Sequence, residues 1–363
     1  MSDGVTALFT ERVRALEPYR VAAPTHRIKL NQNESTIELP DVIKETALGR
    51  LRSIDWARYP GQGPDELQLR LRENLGLSDG AEVLVGNGSN ELIQALLMAI
   101  VDPGSSVVIP VPTFSVYRIV ATTLGATIIE APLDRDDLSF DRGAILERAT
   151  NASAKAIVVC RPNNPTGTTM PLVDLDRLAA GFDGLVIVDE AYHDFAQDDA
   201  LVLLEAHRNL VILRTFSKAY RAAGIRIGML CADRAVTEQV DKVRVPFAVG
   251  HATRAIGSAI VEHRARLRPG IEAVVRQREA MTAEMARIPG IDPIPSQANF
   301  VCFRARKPVD EVFAALLDAG ILIRDVSGYP LLENALRVSV GTETENRAFL
   351  DALRRVMKEV RSE

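Results

Sequence analysis

Through the middle of the chain, short β-branched apolar runs alternate with longer stretches whose apolar residues recur every three or four positions. The short runs, over 106–110, 126–131, 155–160, 185–189, 210–214 and 225–231, predict strands. The longer stretches, over 90–101, 116–124, 140–149 and 172–180, predict helices. Strands so uniformly apolar need cover on both faces, because a face open to water would be marked by polar residues at every second position. The pattern therefore predicts an α/β fold: a large domain with a mostly parallel sheet covered by helices on both faces. In such sheets ligands bind beyond the carboxyl ends of the strands.

The last third of the chain has a different rhythm. A long helical region over 253–287 is interrupted at Pro269-Gly270. A strand (299–303), a helix (309–319), two short strands (321–324 and 337–340) and a final helix (343–360) follow. Gly320 suits a helix C-cap, and Thr342 ahead of Glu343 and Glu345 suits an N-cap with acids in the first turn. This predicts a small α+β domain with its own core. The expected division is an N-terminal segment at 1–45 lying on the small domain or a subunit partner, a large domain at 46–247 and the small domain at 248–363.

Composition narrows the class of function. A chain of 363 residues is long for one core, which agrees with two domains. A net charge of −5 without a long basic run makes nucleic acid and anionic membrane surfaces poor partners. No apolar run reaches the roughly 18 residues of a membrane helix, and Met1-Ser2-Asp3-Gly4-Val5-Thr6 lacks the plan of a signal peptide, so a cytoplasmic location is expected. Cys160, Cys231 and Cys302 sit in or beside strand-like runs and read as reduced core thiols. His193 follows Asp189 and Glu190 closely, but no second ligand cluster accompanies it, and no metal is expected.

Candidate chemistry gathers where strands end. Lys218 lies in Arg214-Thr215-Phe216-Ser217-Lys218-Ala219-Tyr220, with Arg226 eight residues later. An amine in such a turn can form a Schiff base with an aldehyde, and Thr215, Ser217 and Arg226 can hold a phosphate beside it. Pyridoxal phosphate carries both groups. Gly86-Asn87-Gly88-Ser89-Asn90-Glu91 leads a strand into a helix, whose first N–H groups suit an anion; on its own the motif is a weak signal and reads by default as a helix cap. Arg161-Pro162-Asn163-Asn164-Pro165-Thr166-Gly167 is a rigid polar turn in which Asn164 can donate to a phenolate oxygen. Asp189 ends an apolar strand and needs a partner, which a pyridinium N–H supplies, and Tyr192 can reach the same ring's phenolate oxygen. A strand ending in Asp-Glu also suits a magnesium-binding acid of a nucleotide hydrolase, but no Gly-Lys-Ser/Thr phosphate loop is present. Phe114, just past a strand, can stack on an aromatic cofactor or simply pack.

These motifs, with Lys29-Leu30-Asn31-Gln32-Asn33-Glu34, Arg58-Tyr59-Pro60 and Leu336-Arg337-Val338-Ser339-Val340-Gly341, run almost end to end. Together they resemble the fold-type I pyridoxal-phosphate aminotransferases and, more narrowly, the histidinol-phosphate aminotransferase family, with aromatic amino-acid aminotransferases as close relatives. The resemblance implies that Lys218 is the covalent anchor and proton carrier and that Asp189 pairs with the ring nitrogen. Asn164 and Tyr192 would meet the ring oxygen and Phe114 would stack. Ser89, Asn90, Thr215, Ser217 and Arg226 would hold the phosphate. It also implies a homodimer in which Tyr59 reaches the neighbouring subunit's cofactor. Arg337 and Arg324 would bind the substrate's anionic end, and Tyr19 and Asn33 would line the entrance. The implied reaction exchanges an amine between glutamate and imidazole-acetol phosphate, in histidine biosynthesis.

Three departures from the family pattern stand out. Asn90 replaces a usual aspartate, Arg221 a usual small residue, and Arg244-Val245-Pro246-Phe247-Ala248-Val249-Gly250 a Pro-Tyr-Asn-type segment that can line the side-chain pocket. Aromatic or broad-range transamination is therefore an alternative, and phosphothreonine decarboxylation a more distant one. A cofactor-binding transcription regulator would need a DNA-binding module for which the first forty residues leave no room.

Overall fold

A computed structural model describes residues 3–18, 24–61 and 65–358. Its centre is a seven-stranded sheet of β2 (Ala81–Asn87), β3 (Ser106–Val111), β4 (Thr127–Pro132), β5 (Ala156–Cys160), β6 (Leu185–Asp189), β7 (Leu210–Thr215) and β8 (Ile227–Asp233). The spatial order is β2-β8-β7-β6-β5-β3-β4. Only β8 runs against its neighbours, pairing antiparallel with β2 and with β7. The expected mostly parallel sheet is present.

The alternation of side chains along each strand explains the unbroken apolar runs. In β6, Val186 and Val188 enter one apolar layer while Ile187 enters the other. In β7, Leu210 and Ile212 divide from Val211 and Leu213 in the same way. Each side chain so buried contributes roughly 1.5–3 kcal/mol. The same parity puts Asp189 on the face of Ile187, where Tyr117 of the helix Val116–Leu124 packs. The helix Ser89–Ile100 covers that face too.

A second, antiparallel sheet has the order β12-β13-β10-β9, formed by β9 (Ile291–Pro293), β10 (Phe300–Ala305), β12 (Arg324–Asp325) and β13 (Ala335–Ser339). Helices Arg268–Ala286, Val309–Asp318 and Glu343–Lys358 enclose a separate apolar cluster against it. The N-terminal strand β1 (Ile28–Lys29) pairs in parallel with β11 (Ile321–Leu322), so early sequence is bound to late sequence.

Some boundaries fall elsewhere than the sequence suggests, and the strand expected over 321–324 divides into β11 and β12, which belong to different sheets. The break in the region 253–287 lies at Arg264–Arg266, a short 3₁₀ turn between helices His251–Glu262 and Arg268–Ala286. Pro269 belongs to the first turn of the second helix, where its missing N–H has no partner to lose. The expected caps are in place: Gly320 has φ +79, and Glu345 N–H donates to Thr342 Oγ1 while Thr342 N–H donates to Glu345 Oε2.

Candidate active site

β7 delivers Lys218 through a turn fixed from below. Phe216 is fully buried and meets Tyr220 edge to face, and Ser217 N–H donates to Thr215 Oγ1 at 3.2 Å. Beneath the turn, fully buried Glu190 accepts from Arg161 Nη1 at 3.2 Å and from Arg214 Nη2 at 2.7 Å. Glu190 and Asp199 hold the Arg214 guanidinium above its ordinary pKa although burial alone would lower it. The amine of Lys218 then projects into a cavity of about 350 Å³, where it donates to the Gln32 carbonyl at 3.1 Å. Burial pushes this ammonium down to about 8, with Arg337 and Arg226 adding to the shift while Glu34 and Asp189 oppose it.

Asp189 faces the same cavity from the end of β6. It accepts from the Tyr117 hydroxyl at 2.7 Å and from Ala191 N–H at 3.0 Å. Burial raises its pKa and the Tyr117 hydrogen bond pulls it back. A carboxylate so desolvated suits a cationic N–H donor, which would lower its pKa again.

On the opposite wall Arg337 of β13 is 7% exposed and has no carboxylate partner among the described residues. It donates to the Asn31 carbonyl at 2.8 Å and to Asn164 Oδ1, lies over the Phe300 ring at 5.2 Å, and leaves buried Nε without a partner. Burial lowers its pKa, and Arg324, its register neighbour on β12, repels it further. Two guanidinium groups with no acid between them make an anion site.

A phosphate-sized cradle lies at the far end. The helix Ser89–Ile100 begins after Gly88 with no side-chain cap, so its first N–H groups are open to an anion. Gly88 has φ +77, and a Cβ there would come within 2.4 Å of Arg226 Nη2. Arg226 Nη1 donates to Ser217 Oγ at 3.3 Å. Ser89, Asn90, Thr215, Ser217 and Arg226 thus line one end of the cavity that holds Lys218 and Asp189. An aldehyde, a basic ring nitrogen and a phosphate joined in one molecule fit these donors and acceptors.

Phe114, Asn164, Tyr192, Asn33 and Arg324 also line this cavity. Tyr59 does not: it is 78% exposed and stacks on Phe247 at 4.7 Å, beside a separate cleft lined by 244–249. The segment that departs from the family pattern therefore lies away from the cavity of its own chain. Arg221 does not line it either; its guanidinium donates to the Glu38 carbonyl at 3.1 Å and crosses over Gly270. Tyr19 lies outside the described residues. Sequence reasoning gave no role to Tyr117, to the carbonyls of Asn31 and Gln32, or to Ser339. Backbone acceptors carry no side-chain signal, and Tyr117 reads as an ordinary core aromatic.

Residues 25–353 match the family model of the class I and II aminotransferases. The chain is 38% identical over 330 residues to a histidinol-phosphate aminotransferase of Prosthecochloris aestuarii, covering 91% of this chain and 92% of that protein. It is 36% identical over 343 residues to that of Chlorobaculum tepidum, covering 94% and 98%. In structure it is similar to the histidinol-phosphate aminotransferase of Sinorhizobium meliloti, solved in complex with pyridoxal-5'-phosphate. The TM-score is 0.86 at 24% identity, over 97% of this chain and 98% of the other.

Proposed function

The chain belongs to the class I and II aminotransferase family, and from that premise we propose that it exchanges an amino group between glutamate and imidazole-acetol phosphate, giving 2-oxoglutarate and histidinol phosphate. The reading rests on one observation: a depressed lysine, a buried acid, an uncapped helix N-terminus with Arg226, and acid-free Arg337 share a single cavity.

In this reading the cavity holds pyridoxal phosphate through Lys218, Asp189, Tyr192, Asn164, Phe114, Ser89, Asn90, Thr215, Ser217 and Arg226. When bound, that cofactor supplies an aldehyde for amines and a ring that withdraws electrons from the carbon being deprotonated. Lys218 Nζ, readily neutral because its pKa is pushed down to about 8, takes and returns the proton at the substrate's Cα. Asp189 keeps its charge opposite a ring N–H, while the Asn164 amide and Tyr192 hydroxyl donate to the ring oxygen. Arg337, with Arg324 beside it, takes the carboxylate of glutamate in one half-reaction and the phosphate of the second substrate in the other, since a guanidinium fork matches either anion.

The working unit is a homodimer in which exposed Tyr59 serves the neighbouring subunit's cavity. Residues 46–247 act as the large domain and 248–363, with the segment 1–45, as the small one.

An amino-acceptor panel with glutamate as donor tests the proposal. Turnover of imidazole-acetol phosphate well above that of phenylpyruvate is expected. The reverse preference would reassign the chain to aromatic transamination, and carbon dioxide release from phosphothreonine would reassign it to decarboxylation.

A further inference from the structure

We propose that Asn33 is a positioning residue that turns the Tyr192 hydroxyl proton into the cavity, and that Ser339 of β13 sets the direction of the Asn33 amide. Four hydrogen bonds hold Asn33, which is 1% exposed. Its N–H donates to Ser339 Oγ at 2.8 Å, and Ser339 Oγ–H donates back to Asn33 Oδ1 at 3.0 Å. Asn33 Nδ2 donates to the Tyr192 hydroxyl at 3.0 Å, and the Asn33 carbonyl accepts from Asn299 Nδ2 at 3.0 Å.

The circuit has one direction. A serine hydroxyl carries one proton, and among the described residues Asn33 Oδ1 is its only recorded acceptor. With Oδ1 facing Ser339, the NH₂ group must face Tyr192. That group occupies a lone pair on the phenol oxygen and leaves the single phenol proton for another acceptor. Flipping the amide would strand the serine proton and make Tyr192 donate to Asn33 instead. A φ of +56 at Asn33 is tolerated by asparagine, so the backbone can present this amide between β13 and Tyr192.

The consequence rests on the functional reading above, in which Tyr192 donates to the ring oxygen of the cofactor. A donor there favours the ionised ring oxygen, so removing its orientation raises the pH at which the bound cofactor changes colour. The charged or titratable groups around Tyr192 are Arg337, Asp189, Cys160 and Lys218, and all stay the same in the variants below.

The test is a visible-absorbance pH titration of cofactor-loaded protein. Asn33→Gly, chosen because glycine accepts the positive φ, is expected to move the midpoint up by about one pH unit. Ser339→Ala should move it the same way by less. Tyr192→Phe should move it at least as far, and adding Asn33→Gly to it should change nothing more, because the two act in series. An unmoved midpoint in Asn33→Gly, or an equal movement with and without the Tyr192 hydroxyl, overturns the inference. If Asn33→Gly does not fold, Ser339→Ala decides, and an unmoved midpoint there overturns it as well. Wild-type protein that takes up no cofactor would sink the functional reading itself; normal uptake with an unmoved midpoint sinks only the role of Asn33.

Discussion

Lys218 holds its proton less tightly than a lysine in water because burial penalises the ammonium and Arg337 repels it. The sign of the effect on stability follows. Below about pH 8 folded and unfolded chains both carry the proton, and the fold bears the full cost of burying it. Between about 8 and 10.5 the folded amine is neutral while the unfolded one stays charged, so stability rises with pH across that window. Cofactor-free protein should therefore gain on the order of 2 kcal/mol on Lys218→Met between pH 7.5 and 10, read by denaturant titration. An unchanged difference would count against a depressed lysine. Lys218→Ala should lose transamination and the visible absorbance of the lysine–cofactor Schiff base while still unfolding in one cooperative transition. Arg337→Ala removes a buried fork, so the KM for glutamate and for the phosphate substrate should rise about 10- to 100-fold. An unchanged KM for both would take this residue out of the site.

At the scale of elements, the cradle depends on the close approach of a helix start to β8. A Cβ at Gly228 would stand 2.2 Å from Ser89 N, so these backbones touch directly. Gly88→Ala adds a methyl against Arg226 and strains a positive φ. Affinity for the cofactor should fall at least about tenfold, and the strained φ should also lower the melting temperature of the cofactor-free protein by about 2–4 °C. Equal affinity would place the phosphate elsewhere.

The strands were legible because each apolar run serves two layers, and a run of Val and Ile cannot satisfy both as a surface helix. Asp189, Asn164 and Lys218 were legible for a related reason: Asp189 ends β6, while Asn164 and Lys218 lie in the polar turns that follow β5 and β7, and such positions stand at the carboxyl edge of the sheet. Pro269 was misleading as a breaker because its effect depends on whether it falls inside a helix or in its first turn. The Glu190 network was not legible, since nothing local distinguishes an acid that meets Arg161 and Arg214 across two strand ends from one in solvent.

For the whole molecule, the exposed apolar residues Trp56, Tyr59 and Val245, at 76%, 78% and 71% exposure, argue for a covering surface. Sedimentation of the intact protein should give the mass of a dimer, and Tyr59→Phe should weaken cofactor retention although Tyr59 is absent from the cavity of its own chain. A monomeric mass with full activity would refute the shared site.

The sequence by itself determined the alternation of strand and helix, the residues at the sheet's carboxyl edge and the placing of a lysine beside the hydroxyls of Thr215 and Ser217, because these follow from side-chain periodicity and local turn chemistry. Tertiary structure alone decided that β1 joins β11, that Arg337 meets Asn164, and that Asn33 stands between Ser339 and Tyr192. Such contacts join positions up to 306 residues apart, and only the packing of two sheets around one cavity brings them within hydrogen-bond reach.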